Sequence, residues 1–220
     1  DVKSDLNGSF ISFGPKDVPI KNSKEFSDKI VFGSINKITK ISTKTLETWS
    51  KILEKVENSM ILIKFDKNEL SLVDDYLGSL GISKKRFILC SLTDEERKYN
   101  INYYNIFTSI DILLDPFPYT GTTTTCDSLY LGTPIITLYK QRYHVHNVTS
   151  SILMHMNCNE LIARTQEEYI QKCIELSNNK EKISIYKNTL RSLFLKEMSI
   201  KPFMQSYENT LLETIKKNSK

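Results

Sequence analysis

The sequence predicts an α/β fold in which a doubly wound parallel sheet is covered by helices on both faces, with additional helices at the C-terminus. Short apolar runs alternate with amphipathic helical segments over most of the chain. Each run is continuously apolar rather than alternating with polar residues. Continuous runs are typical of strands that are buried on both faces of a parallel sheet.

The apolar runs predict five strands, at 30–32, 60–63, 87–90, 110–114 and 134–138. A helix of about fifteen residues is expected after Ser42 or Thr43, either of which is a suitable N-cap. Further helices are predicted at 68–80, 94–109, 122–131, 145–156, 166–178, 180–197 and 203–217. In the last of these, a stripe at helical spacing is expected to face the core, namely Phe203, Tyr207, Leu211 and Leu212.

Composition excludes several classes of protein. A net charge of +4 on 220 residues gives little support to nucleic acid as a partner. No run approaches the roughly 20 apolar residues of a membrane span, so no membrane partner is expected. The four cysteines lack CxxC spacing, which argues against structural zinc and a disulfide framework. Free thiols favour a reducing compartment, the cytoplasm or also the nucleus.

The two ends of the chain differ in character. Residues 1–28 carry glycines and prolines among polar residues, which predicts a linker or a lobe-connecting segment. Residues 29–220 hold the predicted α/β domain. Because the chain begins at Asp1 rather than Met, we expect it to be part of a longer protein.

The most informative segment follows the fourth predicted strand. Four threonines, 122–125, stand directly after Gly121 at the start of a predicted helix. β-branched residues are mediocre helix formers, so four of them in succession at the start of a helix require an explanation. Unpaired N–H groups and the positive end of the helix dipole attract anions, and threonine hydroxyls add donors. The segment therefore indicates a diphosphate site, or alternatively a well-capped helix without a ligand.

Three blocks of sequence resemble the O-GlcNAc transferase and SPINDLY family of glycosyltransferases. The first is the run FPYTGTTTTCDSLYLGTP at 117–134. The second, VFGSINKITK at 31–40, resembles the strand and loop that open the family's C-terminal lobe. The third is HVHNV at 144–148. The resemblance extends over about residues 30–215, and the order and spacing of the blocks agree with the family.

The resemblance implies the C-terminal, Rossmann-like lobe of a GT-B glycosyltransferase, which binds a nucleotide-sugar donor and needs neither a metal ion nor a further cofactor. Lys40 matches the catalytic lysine that contacts the donor diphosphate. The other residues that the resemblance implies for donor binding are Asn36, Tyr103, Gly121, Thr122, Thr123, Thr124, Asp127, His144, His146 and Asn147.

Several of these residues have a second explanation. Asp127 matches the carboxylate that holds the ribose, but a carboxylate near a helix start also favours the positive helix end. Tyr103 could stack on the nucleobase or simply pack within an amphipathic helix. His144 and His146 could contact the donor, and a histidine could instead cap the following helix.

The resemblance leaves the donor and the activity open. The HVHN and TTTTC blocks favour SPINDLY-like O-fucosyl transfer from GDP-fucose to Ser or Thr of proteins; O-GlcNAc transfer from UDP-GlcNAc is the alternative. A third hypothesis is a nucleotide-binding or interaction module without turnover. In the family, an N-terminal lobe completes the acceptor site and TPR repeats guide protein substrates, so we expect this chain alone to transfer sugar poorly.

Overall fold

A computed structural model describes Ile11, Phe13 and residues 28–64, 70–90, 103–140 and 143–218. The strands in these ranges are β1 (Ile30–Ser34), β2 (Ser59–Lys64), β3 (Phe87–Cys90), β4 (Ile112–Leu114), β5 (Ile135–Leu138) and β6 (Ile162–Ala163). The α-helices are α1 (Thr43–Lys55), α2 (Leu70–Ser79), α3 (Tyr103–Thr108), α4 (Thr123–Tyr130), α5 (Val148–His155), α6 (Gln166–Ser177), α7 (Lys180–Met198) and α8 (Ile200–Asn218).

The strands form a six-stranded sheet in the order β3-β2-β1-β4-β5-β6. Every pairing is parallel. At the centre, Gly33 of β1 lies opposite Leu62 of β2 on one side and Leu113 of β4 on the other. All residues of β1, β4 and β5 are buried, as expected for strands covered on both faces. The predicted doubly wound parallel sheet is confirmed.

The five predicted strands are present, and a sixth was missed. β6 has two residues and pairs with Thr137 and Leu138 of β5, so its own pattern is too short to detect. β4 begins later than predicted. Its neighbour Asp111 donates a backbone hydrogen bond to Val31 O, and its side-chain Oδ2 accepts from Val31 N over 3.0 Å. A carboxylate thus replaces a backbone acceptor just before the strand.

The first helix follows its sequence signals closely. Ser42 is the N-cap of α1 and its side chain accepts a hydrogen bond from Thr45 N. The apolar face that α1 buries contains Leu46, Trp49, Ile52 and Leu53. Most of the predicted linker at 1–28, and the part of the predicted 94–109 helix that precedes Tyr103, lie outside the described residues.

The C-terminal helices differ in burial. α7 buries Leu190 and Phe194, and Phe13 packs on it with its ring 5.2 Å from that of Phe194. The expected core-facing stripe of α8 is wrong: Tyr207 is 42% exposed, and α8 has no buried residue. Several of its other apolar residues are exposed as well, among them Met204, Leu211 and Leu212. Across the described ranges, no helix combines the length and apolar character that crossing a bilayer requires.

Candidate functional site

The centre of the sheet contains a switch in strand order. From β1 the chain continues through α1 to β2 on one side, whereas β4 continues to β5 on the other. The connections that leave the carboxyl ends of β1 and β4 therefore lead to opposite halves of the sheet, and a crevice forms at such a switch point. In open α/β sheets this crevice is the usual ligand site. It is formed here by residues 35–42 and 115–122.

Gly121 brings the loop after β4 into close contact with the start of α4. A methyl group at this position would lie 2.6 Å from Thr125 Oγ1 and 2.7 Å from Thr124 Oγ1. Thr122 is the N-cap of α4, but its side chain makes no capping hydrogen bond. The helix start therefore keeps its anion-attracting N–H groups without the usual side-chain cap.

Asn36 reaches this helix start from the loop after β1. Its Oδ1 accepts a hydrogen bond from Thr124 Oγ1 over 2.9 Å. The side chain is 1% exposed, and its Nδ2 has no hydrogen-bond partner among the described residues. A buried, unsatisfied donor is destabilising. A ligand acceptor at this position would satisfy it.

Lys40 belongs to the loop after β1, and its side chain contacts the loop after β4. Its Nζ donates a hydrogen bond to Thr120 O over 3.0 Å and lies 4.1 Å from the centre of the Tyr119 ring. Partial burial lowers the pKa of Lys40; the negative charge of Asp115 opposes this effect and the neighbouring Lys37 adds to it. The ammonium group is thus partly desolvated, which strengthens its interaction with an anion.

Asp115 holds the loop after β4 in place through hydrogen bonds. Its Oδ1 accepts from Gly121 N over 2.8 Å, and its Oδ2 accepts from Thr137 Oγ1 over 2.6 Å. Burial is the main cause that raises the pKa of this carboxyl group to about 6, although its hydrogen bonds and Lys40 oppose the rise. Thr149 adds a second support by donating to Gly121 O over 3.2 Å.

The two loops are also joined directly. Ser42 Oγ donates to Phe117 O over 2.8 Å, and Thr45 Oγ1 donates to the same carbonyl. Ile41 forms an isolated antiparallel bridge with Pro118. The segment that carries Lys40 is therefore fixed relative to the segment that carries Gly121, which preorganises the crevice.

Tyr103 and Asp127 meet on the α4 side of the site. The Tyr103 hydroxyl donates to Asp127 Oδ2 over 2.9 Å. Asp127 is 1% exposed. Burial, and then the charge of Asp127, raise the pKa of Tyr103. The residues predicted to contact the base and the ribose are thus neighbours, and the tyrosine hydroxyl orients the carboxylate.

The third block forms a 3₁₀ turn, His144–His146, before α5. Its Val145 O accepts both the backbone N–H and the hydroxyl of Thr120, at 3.0 and 2.9 Å. His146 Nδ1 is buried without a hydrogen-bond partner among the described residues, whereas His144 is exposed.

Asn147 uses both ends of its amide within the protein. Its Oδ1 accepts from Lys140 N over 3.0 Å, and its Nδ2 donates to Tyr143 O over 3.1 Å. These bonds close the loop after β5. The geometry therefore gives Asn147 a role in shaping the loop, and the donor-binding role implied by the resemblance stays a prediction.

The structure places Asn36, Lys40, Gly121 and residues 122–124 at the same edge of the sheet, in the two loops after β1 and β4 and at the start of α4. It also shows three residues that the sequence reasoning did not single out: Asp115, Tyr119 and Thr120. A carboxylate that directly follows a buried strand was a usable signal for Asp115, because such a residue lies at the ligand-binding edge of the sheet. No group of His, Cys, Asp and Glu positioned for a metal ion occurs within the described ranges.

Comparison with known proteins identifies relatives of this chain. The pattern of glycosyl transferase family 41 matches residues 15–205. The chain is 34% identical over 168 residues to the probable UDP-N-acetylglucosamine–peptide N-acetylglucosaminyltransferase SPINDLY of Arabidopsis thaliana. The aligned region covers 74% of this chain and 18% of the plant protein. It is 28% identical over 158 residues to the Caenorhabditis elegans UDP-N-acetylglucosamine–peptide N-acetylglucosaminyltransferase, covering 71% and 13%. The chain thus spans less than a fifth of these relatives.

Solved structures give the same result for the fold. A mutant of the Thermobaculum terrenum O-GlcNAc transferase superposes with a TM-score of 0.76 at 26% identity, covering 90% of this chain and 38% of that one. Staphylococcus aureus TarM superposes with a TM-score of 0.62 at 13% identity, covering 93% and 38%, which shows the fold alone. The fold is therefore the Rossmann-like lobe of a GT-B glycosyltransferase.

Proposed function

Because this chain belongs to glycosyl transferase family 41, we propose that it binds a nucleotide-sugar donor and takes part in transfer of the sugar to Ser or Thr hydroxyls of proteins. One observation carries the proposal. Three anion-binding features belong to the two loops at the switch in strand order: the uncapped start of α4, the unpartnered Asn36 amide and the Lys40 ammonium group. A diphosphate has the charge and the acceptor oxygens to satisfy all three.

In the proposed reaction, the acceptor oxygen attacks the anomeric carbon and forms the new glycosidic bond. The bond from that carbon to the diphosphate breaks, and its electron pair leaves with the diphosphate. Lys40 and the start of α4 stabilise the negative charge that develops on the leaving group. The base that takes the acceptor's proton would belong to an N-terminal lobe. No metal ion or further cofactor is required by this scheme.

For the donor, we favour GDP-fucose. The SPINDLY-like HVHN block at 144–147 and the TTTTC run support this choice. The names of the matched SPINDLY relatives specify UDP-N-acetylglucosamine instead and support UDP-GlcNAc as the second candidate. Tyr103, which would face the base, is compatible with either, because a tyrosine ring stacks on purines and pyrimidines.

The partners in this proposal are a protein acceptor, the N-terminal lobe and TPR repeats of a full-length protein. Without that lobe we expect the 220-residue chain to bind nucleotide but to transfer sugar poorly. The cytoplasm or the nucleus is the proposed location, which the free thiols of Cys90, Cys126, Cys158 and Cys173 support.

Calorimetric titration of the chain with GDP and UDP tests the proposal. We expect the chain to bind at least one of the two diphosphates. Lys40→Met should weaken this binding at least tenfold, whereas Lys44→Met, on the exposed first turn of α1, should leave it unchanged. Tighter binding of UDP than of GDP would select UDP-GlcNAc as the donor. If neither diphosphate binds at millimolar concentration, the proposed function is wrong.

A further inference from the structure

Lys40 has a defined environment before any donor arrives. An ammonium group carries three N–H donors and rotates freely on a long flexible stem. Here the Thr120 carbonyl accepts one donor at 3.0 Å, and the face of the Tyr119 ring lies 4.1 Å away. Both contacts come from the loop after β4, in which Tyr119 and Thr120 directly precede Gly121.

Tyr119 itself has no role in the core. Its side chain is 47% exposed, although neighbouring Phe117 is 3% exposed and packs edge-to-face on Tyr169. An exposed aromatic ring that covers a functional cation is not explained by packing. Its partner, however, is the residue that the proposed reaction needs beside the leaving diphosphate.

We propose that Tyr119 is a positioning residue that holds the Lys40 ammonium group, together with the Thr120 carbonyl, so that its remaining N–H groups are available to the donor diphosphate. This inference rests on the proposed function and deepens it. The ring attracts the cation by its negative face without neutralising it, whereas a carboxylate at the same place would compete with the diphosphate. Lys40 therefore stays available as a donor but loses part of its freedom.

The magnitude of the effect follows from the exposure of the pair. An exposed cation–π contact contributes about 0.5–1 kcal/mol, which corresponds to a change of about two- to fivefold in an equilibrium constant. Tyr119→Leu is thus expected to weaken diphosphate binding about two- to fivefold. Tyr119→Phe keeps the ring and is expected to bind like the wild type.

A double-mutant cycle on the 220-residue chain tests the coupling. GDP and UDP affinities are measured calorimetrically for wild type, Tyr119→Leu, Lys40→Met and the double variant, with Tyr207→Leu on α8 as a matched exposed control. The loss caused by Tyr119→Leu should disappear in the Lys40→Met background. An equal loss in both backgrounds, or none in either, would overturn the proposal.

A second measurement needs no nucleotide. The chain is labelled with ¹³C at the Cε atoms of its lysines for NMR, and the Lys40 signal is assigned by its absence in Lys40→Arg. This signal should show an upfield ring-current shift. Tyr119→Leu should abolish the shift and Tyr119→Phe should preserve it. A Lys40 signal at the position of solvated lysines in the wild type would contradict the arrangement. Failure of the wild type to bind any diphosphate would instead refute the proposed function, before any Tyr119 variant is compared.

Discussion

Thr124 donates a hydrogen bond from its Oγ1 to Oδ1 of Asn36 over 2.9 Å, which connects the helix start after β4 to the loop after β1. This bond fixes the amide so that its Nδ2 remains buried and unpartnered among the described residues. The protein thus holds a polar group in a state that is unfavourable without a ligand. Such groups occur at binding sites, where the ligand supplies the missing partner.

We predict that Asn36→Ala weakens GDP or UDP binding by about 10- to 150-fold, since a hydrogen bond to a charged group contributes about 1.5–3 kcal/mol. Stability should change little, because the substitution removes an unsatisfied donor as well as a hydrogen bond. Calorimetry and urea unfolding measure the two effects. Asn209→Ala, on the exposed part of α8, is the control. Loss of stability with unchanged affinity would assign Asn36 to the scaffold.

A methyl group at Gly121 is predicted to damage both stability and binding. Gly121→Ala places its Cβ 2.6 Å from Thr125 Oγ1 and 2.7 Å from Thr124 Oγ1. Overpacking of this kind destabilises a protein by about 1–3 kcal/mol. Urea unfolding should show this loss, and diphosphate affinity should fall because the helix start is displaced.

The chain provides a matched control for this change. Gly78 lies in α2, and a Cβ there meets nothing within 4 Å. Gly78→Ala should therefore stabilise the chain by up to about 1 kcal/mol, because alanine is the better helix former. If the two substitutions had the same effect on stability, close packing at Gly121 would not be its essential feature.

The fold could be predicted from the sequence because its signals are local. Continuous apolar runs mark β1 to β5, and Ser42 marks the start of α1. β6 could not be predicted, since two residues become a strand only by pairing with Thr137 and Leu138. The exposed stripe of α8 was misread because helical spacing shows that one face is apolar but not what covers it.

The site was predictable in part for a similar reason. Gly121 and the threonines stand together in the sequence, and the resemblance points to Lys40. The support from Asp115 depends on Thr137 of the neighbouring strand, and the contact of Tyr119 with Lys40 depends on how two loops separated by about 80 residues meet. Neither relationship has a spacing that a single sequence reveals.

The buried Asp115 carboxyl group makes stability dependent on pH. Its pKa is about 6 in the folded chain against an ordinary value of 3.8. Because the pKa is raised on folding, the folded state binds the proton more tightly than the unfolded state does. The contribution of the neutral acid to the free energy of unfolding is therefore complete below about pH 4 and is lost as the pH rises through 6. The total effect is about 3 kcal/mol.

Asp115→Asn should reduce this pH dependence. The amide keeps an oxygen for Gly121 N–H but carries no charge, so the decline in unfolding free energy between pH 4 and pH 7 should be smaller than in the wild type. Urea unfolding at pH 4, 5, 6 and 7 gives both curves. Parallel curves would show that another group causes the dependence.

The last prediction separates the two functions available to Tyr103. Its ring could stack on a base, and its hydroxyl holds Asp127 at 2.9 Å. Tyr103→Phe removes only the hydroxyl, so stacking remains while the buried carboxylate loses one hydrogen bond. Bonds to charged groups contribute about 1.5–3 kcal/mol, and unfolding by urea should show a loss of this order.

Nucleotide binding then distinguishes the contribution of each group. If Asp127 receives the ribose hydroxyls, Tyr103→Phe should reduce the preference for GDP over 2′,3′-dideoxy-GDP, because the carboxylate is no longer held in place. Tyr103→Leu should further weaken binding of both nucleotides equally, since it also removes the stacking ring. An unchanged preference in Tyr103→Phe would contradict a role for the Tyr103–Asp127 hydrogen bond in ribose binding.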